Sequence, residues 1–149
     1  MPERLKHIIC LDAALPVVDK AARDMWPLAA VAAIEKSLVD GFKLGSLPPE
    51  WFGVPPTDQA NCAWVKRRLT GMPYGVFKTQ FPEMSKDNTE SAVRVRKTFV
   101  ECNDGKPDRA KLSLEMANAQ KMNNVAIKSG HDAMITAPQM LQELLLKIA

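Results

Sequence analysis

The chain has 149 residues, of which 46% are hydrophobic and 25% are charged, and its formal net charge is +3. This composition is typical of a soluble single-domain protein with enough apolar residues for a core. The charge is too small to indicate a nucleic-acid partner, and no apolar run reaches the length of a signal peptide or a membrane-spanning helix. We therefore predict a cytoplasmic protein that has neither nucleic acid nor a membrane as its partner.

The cysteines and histidines do not form a metal-binding pattern. Cys10, Cys62 and Cys102 are widely separated, and the chain has only two histidines, His7 and His131. No pair of cysteines has the C-x-x-C spacing of a zinc site, and an odd number of isolated thiols suits a reducing compartment. We predict no metal and no organic cofactor.

Three short apolar runs predict β-strands. The run His7–Leu11 is continuous and rich in β-branched residues, which is typical of a strand buried on both faces of a parallel sheet. The second strand is Arg96–Cys102, which ends at the turn sequence Asn-Asp-Gly of residues 103–105. The third is predicted at residues 124–128 and ends at a Ser-Gly pair.

Helical patterns follow the second and third strands. The first runs from about residue 108 to residue 121. The second begins with Thr136 as its predicted N-cap, in a T-x-x-Q capping box completed by Gln139. Its apolar stripe consists of Met140, Leu141, Leu144, Leu145 and Ile148. Strands that alternate with helices predict a parallel sheet.

A long segment of different character separates the first two strands. It contains two predicted helices, at residues 25–38 and 58–69, the second with Thr57 or Asp58 as its N-cap. Such a segment is too long for an ordinary strand-to-helix connection. We interpret residues 14–90 as a mainly helical cap, inserted into a core that is formed by residues 1–13 and 91–149.

Ionisable residues follow the ends of the three predicted strands. Asp12 follows the first strand, Asp104 the second and His131 the third. Because the carboxyl ends of parallel strands lie at the same edge of a sheet, where open α/β sheets place their functional groups, we expect these three residues to converge. A carboxylate and an imidazole suit a Ser-His-acid mechanism, in which the acid orients the imidazole and the imidazole moves the proton.

Residues 129–138, Ser-Gly-His-Asp-Ala-Met-Ile-Thr-Ala-Pro, resemble the strand-to-helix corner that carries the catalytic histidine of α/β-hydrolases. Residues 8–16 and 98–102 resemble two earlier strands of the same fold. The chain is thus similar to the C-terminal part of an α/β-hydrolase, in the bacterial branch related to plant methylesterases and hydroxynitrile lyases. The resemblance implies an α/β fold of parallel strands with flanking helices and a cap, and the hydrolysis of small carboxylic esters without a cofactor.

The resemblance also implies roles for the residues at the sheet edge. His131 matches the general base, and Asp132 stands where hydroxynitrile lyases carry a lysine, which favours ester hydrolysis over lyase chemistry. In many members the acid follows the strand that residues 98–102 resemble, which implies Asp104, with Asp108 as a weaker substitute. In others, haloalkane dehalogenases among them, the acid would be Asp12, which we favour because it directly follows a strand.

No nucleophile accompanies these residues. None of the six serines has a glycine two positions before it and two after it, so the G-x-S-x-G motif of the family is absent from the 149 residues. We expect a fragment or truncated gene product, whose missing N-terminal half would supply the serine and the oxyanion donors. The alternatives are a non-catalytic remnant that binds a ligand or a partner, and an unrelated α/β domain.

Two further expectations concern ligands and partners. Trp26, Trp51 and Trp64 lie in the predicted cap and are candidate substrate-binding residues for a small ester, because ligand pockets are lined mainly by apolar and aromatic groups. Packing within the cap is the alternative role for each of them. A sheet that begins at His7–Leu11 leaves an apolar strand edge unpaired, which predicts a homodimer or other self-association.

Overall fold

The computed structural model describes residues 4–83, 95–104 and 111–148. The chain divides into two units. The first, here called the sheet unit, comprises the described parts of Met1–Leu15, Phe52–Val54 and Met84–Ala149. The second unit comprises Pro16–Trp51 and Pro55–Glu83. Each unit has a hydrophobic core of its own.

The strands of the described residues are β1 (His7–Leu11), β2 (Lys43–Leu44), β3 (Met72–Pro73), β4 (Arg96–Cys102) and β5 (Asn123–Ile127). In the sheet unit β1, β4 and β5 form a parallel sheet in the order β1-β4-β5. Leu11 lies opposite Val100, and Cys102 lies opposite Ile127, so the three strands end at the same edge. The predicted parallel α/β arrangement is confirmed, with β5 beginning and ending one residue before its predicted bounds.

The helices are α1 (Leu28–Lys36), α2 (Gln59–Lys66), α3 (Gly75–Lys78), α4 (Lys111–Ala119), α5 (Ala133–Thr136) and α6 (Pro138–Ile148). Two short 3₁₀ helices lie at Ala22–Met25 and Pro49–Phe52. The helix predicted at residues 108–121 corresponds to α4, and its first three residues lie outside the described part of the chain. No helix among the described residues is both long and apolar enough to cross a membrane.

The predictions of helix caps had different outcomes. Asp58 is the N-cap of α2, and its Oδ1 accepts a hydrogen bond from the Asn61 amide at 3.1 Å. The capping role of Thr136 is wrong, because this residue ends α5 and its hydroxyl donates to the Asp132 carbonyl at 3.2 Å. Helix α6 instead begins at Pro138, since a fixed φ and a missing N–H suit proline to the first helical position.

The parallel sheet is covered on both faces. On one face, Val100, Cys102 and Ile127 pack with Leu141 of α6, and the α6 residues Leu144, Leu145 and Ile148 complete the cluster. On the other face, Phe99 packs with Leu15, Met122 and Ala117 of α4. The successive residues Phe99 and Val100 thus point to opposite helical layers, and the middle of β4, residues 98–100, is buried. Burial of Phe99 alone, which has no exposed surface, contributes about 1.5–3 kcal/mol.

The second unit has a small core around Ile34, Leu44 and Tyr74. Strands β2 and β3 form an antiparallel pair, and the Tyr74 hydroxyl donates to Glu35 Oε1 at 3.2 Å. Arg23 pairs with the same carboxylate oxygen at 2.9 Å. Burial raises the pKa of Tyr74, so its hydroxyl is a hydrogen-bond donor at neutral pH.

Candidate active site

Asp12 lies directly after β1 and has an unusual backbone conformation. Its amide continues the ladder between β1 and β4 by donating to the Val100 carbonyl at 2.8 Å. Its φ is +43°, in the left-handed region, which costs a non-glycine residue about 1–2 kcal/mol. Its side chain is only 3% exposed. Strain and burial of an ionisable group at one position are typical of functional sites.

Both carboxylate oxygens of Asp12 accept hydrogen bonds. Oδ2 lies 2.7 Å from Nδ1 of His131, and Oδ1 accepts from the Cys102 amide at 3.3 Å. A carboxylate can only accept, so these partners assign the hydrogen of the neutral His131 imidazole to Nδ1. Nε2 then carries the free lone pair. Asp12 therefore orients the imidazole of His131 so that its basic nitrogen, Nε2, lies on the side of the ring away from the carboxylate.

The His131 side chain is 37% exposed, and its Nε2 has no hydrogen-bond partner among the described residues. A basic nitrogen without a hydrogen-bond partner, on a side chain that is partly exposed, can accept a proton from a group that approaches it. Among the described residues, no hydrogen bond to Nε2 contributes to the stability of the fold.

The turn that carries His131 is held by backbone contacts within the sheet unit. The Asp132 amide donates to the Phe52 carbonyl at 2.9 Å, and the Ser129 hydroxyl donates to the Gly130 carbonyl at 3.1 Å. The rings of Phe52 and His131 are stacked, with centroids 6.4 Å apart and planes at 25°. The thiol of Cys102 lies 3.8 Å from the His131 carbonyl oxygen.

Two glycines allow this turn to approach the segment Phe52–Val54. Gly53 has a φ of +83°, and a Cβ on it would lie 2.4 Å from the Cα of Gly130. A Cβ on Gly130 would lie 2.7 Å from the Cα of Gly53. Backbone meets backbone at this point, so neither position has space for a side chain. No local sequence pattern indicates this contact, because the segment lies inside the predicted cap and far along the chain from His131.

The other histidine has a structural environment. His7 lies in β1, where Nε2 is 2.9 Å from the Thr98 hydroxyl and Nδ1 is 2.9 Å from Nη2 of Arg96. A guanidinium can only donate, so Nδ1 accepts and the hydrogen lies on Nε2. Partial burial and the positive charge of Arg96 lower the pKa of His7. Both nitrogens of His7 are therefore engaged, and its tautomer is the opposite of that of His131.

The remaining acidic candidates have different positions. Among the described residues, Asp12 is the acidic residue that lies within hydrogen-bonding distance of Nδ1 of His131. Asp104 lies two residues after the end of β4 and is partly buried. Asp108 lies outside the described residues. Within those residues no group of three histidine, cysteine, aspartate or glutamate side chains is arranged to hold a metal ion.

The three candidate substrate-binding tryptophans all lie in the second unit, in different environments. Trp26 packs on Phe77 with ring centroids 5.1 Å apart, as part of the core of this unit. Trp64 is 42% exposed on α2, with the guanidinium of Arg68 4.3 Å above its ring. Trp51 lines an open, mainly apolar groove of about 320 Å³. The structure therefore does not bring the three rings together.

Fold and site define an α/β protein with a carboxylate–imidazole pair at the carboxyl edge of a parallel sheet. Comparison of the chain with protein-family models, with curated proteins and with solved structures gives no match.

Proposed function

We propose that this chain supplies the general base and the orienting acid of an α/β-hydrolase that cleaves small carboxylic esters. One observation carries the proposal. The partly exposed imidazole of His131 directs Nδ1 at the buried Asp12 carboxylate over 2.7 Å, and this leaves Nε2 without a partner among the described residues. An imidazole that is oriented by an acid and open on its basic side is the arrangement that a Ser-His-acid mechanism requires.

Each group has a defined task in this mechanism. Nε2 of His131 accepts the proton of a nucleophilic hydroxyl as its oxygen attacks the ester carbonyl, and later returns that proton to the departing alcohol oxygen. Asp12 holds the imidazole in the Nδ1–H tautomer and stabilises the imidazolium that forms. The carboxylate is already in place, because the Cys102 amide and the end of β1 fix it.

The nucleophile comes from a polypeptide outside these 149 residues. Of the four serines that the structure describes, three donate their hydroxyl to a backbone carbonyl, namely Ser37, Ser46 and Ser129, and Ser113 lies within α4. None of the six serines has the G-x-S-x-G environment that exposes a nucleophile on a sharp strand-to-helix turn. We therefore expect the chain alone to show no esterase turnover.

Complementation tests this proposal directly. The chain is mixed with a separately expressed α/β-hydrolase segment that carries a G-x-S-x-G serine, and hydrolysis of p-nitrophenyl acetate is measured. Activity should appear in the mixture and fall by about 10²–10⁴-fold in His131→Ala, which is the usual contribution of a general base. His7→Ala is the matched control and should remain active, since its imidazole is engaged by Thr98 and Arg96. An active mixture that is indifferent to His131→Ala would exclude the assigned base.

Chemical modification tests the accessibility of the base without any partner. Diethyl pyrocarbonate acylates unprotonated imidazole nitrogens, and the chain has only two histidines. We expect His131 to be modified faster than His7, because Nε2 of His131 is open and both nitrogens of His7 have partners. Peptide mass spectrometry measures the two rates separately. Equal rates would contradict the assignment of an open Nε2.

A second candidate function is ligand binding without turnover, and the groove beside Trp51 favours it. This groove lies within the second unit and includes Ala33 and Leu44 in its lining. Its volume of about 320 Å³ is at the lower end of the range for small-molecule pockets. Phenyl acetate should quench tryptophan fluorescence in the wild type and in Ala32→Phe. It should fail to do so in Ala33→Phe, where the new ring fills the groove.

A further inference from the structure

The segment Phe52–Val54 contacts the histidine turn although it lies far from it in sequence. These three residues belong to the sheet unit, whereas the residues on both sides of them belong to the second unit. Val54 is 1% exposed, so the segment is anchored by burial as well as by hydrogen bonding. A short anchored segment that touches a candidate base is well placed to determine the orientation of that base.

The contact has two independent parts. In the backbone part, the Phe52 carbonyl accepts the Asp132 amide at 2.9 Å, and the Cα atoms of Gly53 and Gly130 are in close approach. In the side-chain part, the Phe52 ring is stacked on the His131 ring with planes at 25°. The backbone part fixes where the turn lies. The side-chain part acts on the imidazole itself and can be removed by mutation without loss of the backbone hydrogen bond.

We propose that Phe52 is a positioning residue for His131. The hydrogen bond from Nδ1 to Asp12 holds the imidazole at one atom, and rotation of the ring about its Cβ–Cγ bond would break that hydrogen bond. Stacking on Phe52 restricts the plane of the ring, so Nδ1–H remains on Asp12 and Nε2 remains open on the opposite side. This inference deepens the proposed function, since it concerns the same base. The contacts of His131 with Phe52 and Asp12 are nevertheless present in the chain alone, so they can be tested without an added nucleophile.

The experiment is ¹⁵N nuclear magnetic resonance of the two imidazoles in Phe52→Ala, at a pH where both are neutral. In the wild type, the ¹⁵N shifts should show the hydrogen on Nδ1 of His131 and on Nε2 of His7. In the variant, exchange of the His131 Nδ1 proton with water should accelerate about two- to tenfold, the factor expected for the loss of one aromatic pair. His7 is the internal control and should not change. Phe42→Ala, at a ring that is 61% exposed in the second unit, is the control for removal of a phenyl group.

Two further variants separate positioning from general loss of structure. Phe52→Tyr keeps an aromatic face and should restore slow exchange, whereas Phe52→Leu keeps apolar bulk and should not. If Phe52→Ala does not fold, the comparison of Phe52→Tyr with Phe52→Leu still tests whether an aromatic ring is needed at this position. Equal exchange of the His131 proton in wild type, Tyr and Leu variants would overturn the proposal. These results are independent of esterase activity, so a failed complementation with an intact Phe52 effect would refute the proposed function and leave the positioning role standing.

Discussion

Replacement of Asp12 by alanine is the most informative single change, because it removes both hydrogen bonds of a carboxylate that is 3% exposed. A hydrogen bond to a charged group contributes about 1.5–3 kcal/mol, and the 37% exposure of His131 places its bond at the lower end of that range. The longer bond from the Cys102 amide, at 3.3 Å, adds about 0.5–1 kcal/mol. We therefore expect Asp12→Ala to lower the free energy of unfolding by about 2–3 kcal/mol.

The matched control is Asp40→Ala. Asp40 has a φ of +55°, close to the +43° of Asp12, but it is exposed. Both substitutions place alanine in the left-handed region, so the difference between them measures the contacts of the Asp12 carboxylate and not the backbone strain. Urea unfolding followed by circular dichroism at neutral pH gives the two free energies. Losses that agree within about 0.5 kcal/mol would refute the view that the carboxylate is held in the site.

Asp12→Asn separates charge from shape at the same position. Asparagine tolerates a positive φ, and its carbonyl oxygen can still accept the Cys102 amide. Its NH₂ group would then face His131 and require Nδ1 to accept, which moves the imidazole hydrogen to Nε2. The ¹⁵N shifts of His131 should therefore change to those of the tautomer that His7 has in the wild type. An unchanged His131 tautomer in this variant would show that Asp12 does not select it.

Three further predictions follow from the contacts of the sheet unit. Because the pKa of His7 is lowered in the folded chain, the unfolded chain takes up a proton at this histidine at a higher pH than the folded chain does, and the free energy of unfolding should fall as the pH drops below about 6.5. Urea unfolding should show a smaller fall in His7→Gln, and equal falls in the two proteins would contradict this linkage. Gly130→Ala should lower the free energy of unfolding by about 1–3 kcal/mol in calorimetry, because the new Cβ would lie 2.7 Å from the backbone of Gly53. Gly75→Ala is the control and should be nearly neutral, because a Cβ at this position has nothing within 4 Å. Equal losses in the two variants would contradict the close approach of Gly130 to Gly53. Among the described residues β1 pairs only with β4, so its other edge is available for pairing with a second copy of the chain. We therefore expect the mass measured by light scattering to rise with protein concentration. A monomer at every concentration would contradict self-association through the free edge of β1.

The sheet could be predicted from the sequence because its strands are short runs rich in apolar and β-branched residues that end at polar residues or turns. Strands β1 and β4 have the predicted bounds, and β4 is the strand that is buried along most of its length. The meeting of Asp12 and His131 follows from the same pattern, since parallel strands share their carboxyl edge. Phe52 could not be assigned to the site in this way, because its contact with His131 is tertiary and no local pattern encodes it. The N-cap role predicted for Thr136 was wrong for a similar reason. Thr136 is the last residue of the separate short helix α5, where its hydroxyl donates to the Asp132 carbonyl.

Stability alone does not account for the arrangement at Asp12. Asp19 and Asp40 also have positive φ values, but they are exposed, where aspartate suits a turn without desolvation of its charge. At Asp12 the same backbone strain coincides with a nearly buried carboxylate whose partner imidazole is partly exposed. The hydrogen bonds of the Asp12 carboxylate stabilise the fold by about 2–3 kcal/mol, but two amide or hydroxyl donors would do the same and do not require an imidazole. The carboxylate also fixes the hydrogen of His131 on Nδ1, which leaves Nε2 as the nitrogen that can accept a proton. The strain, the burial and the open Nε2 therefore agree with the role of an oriented general base.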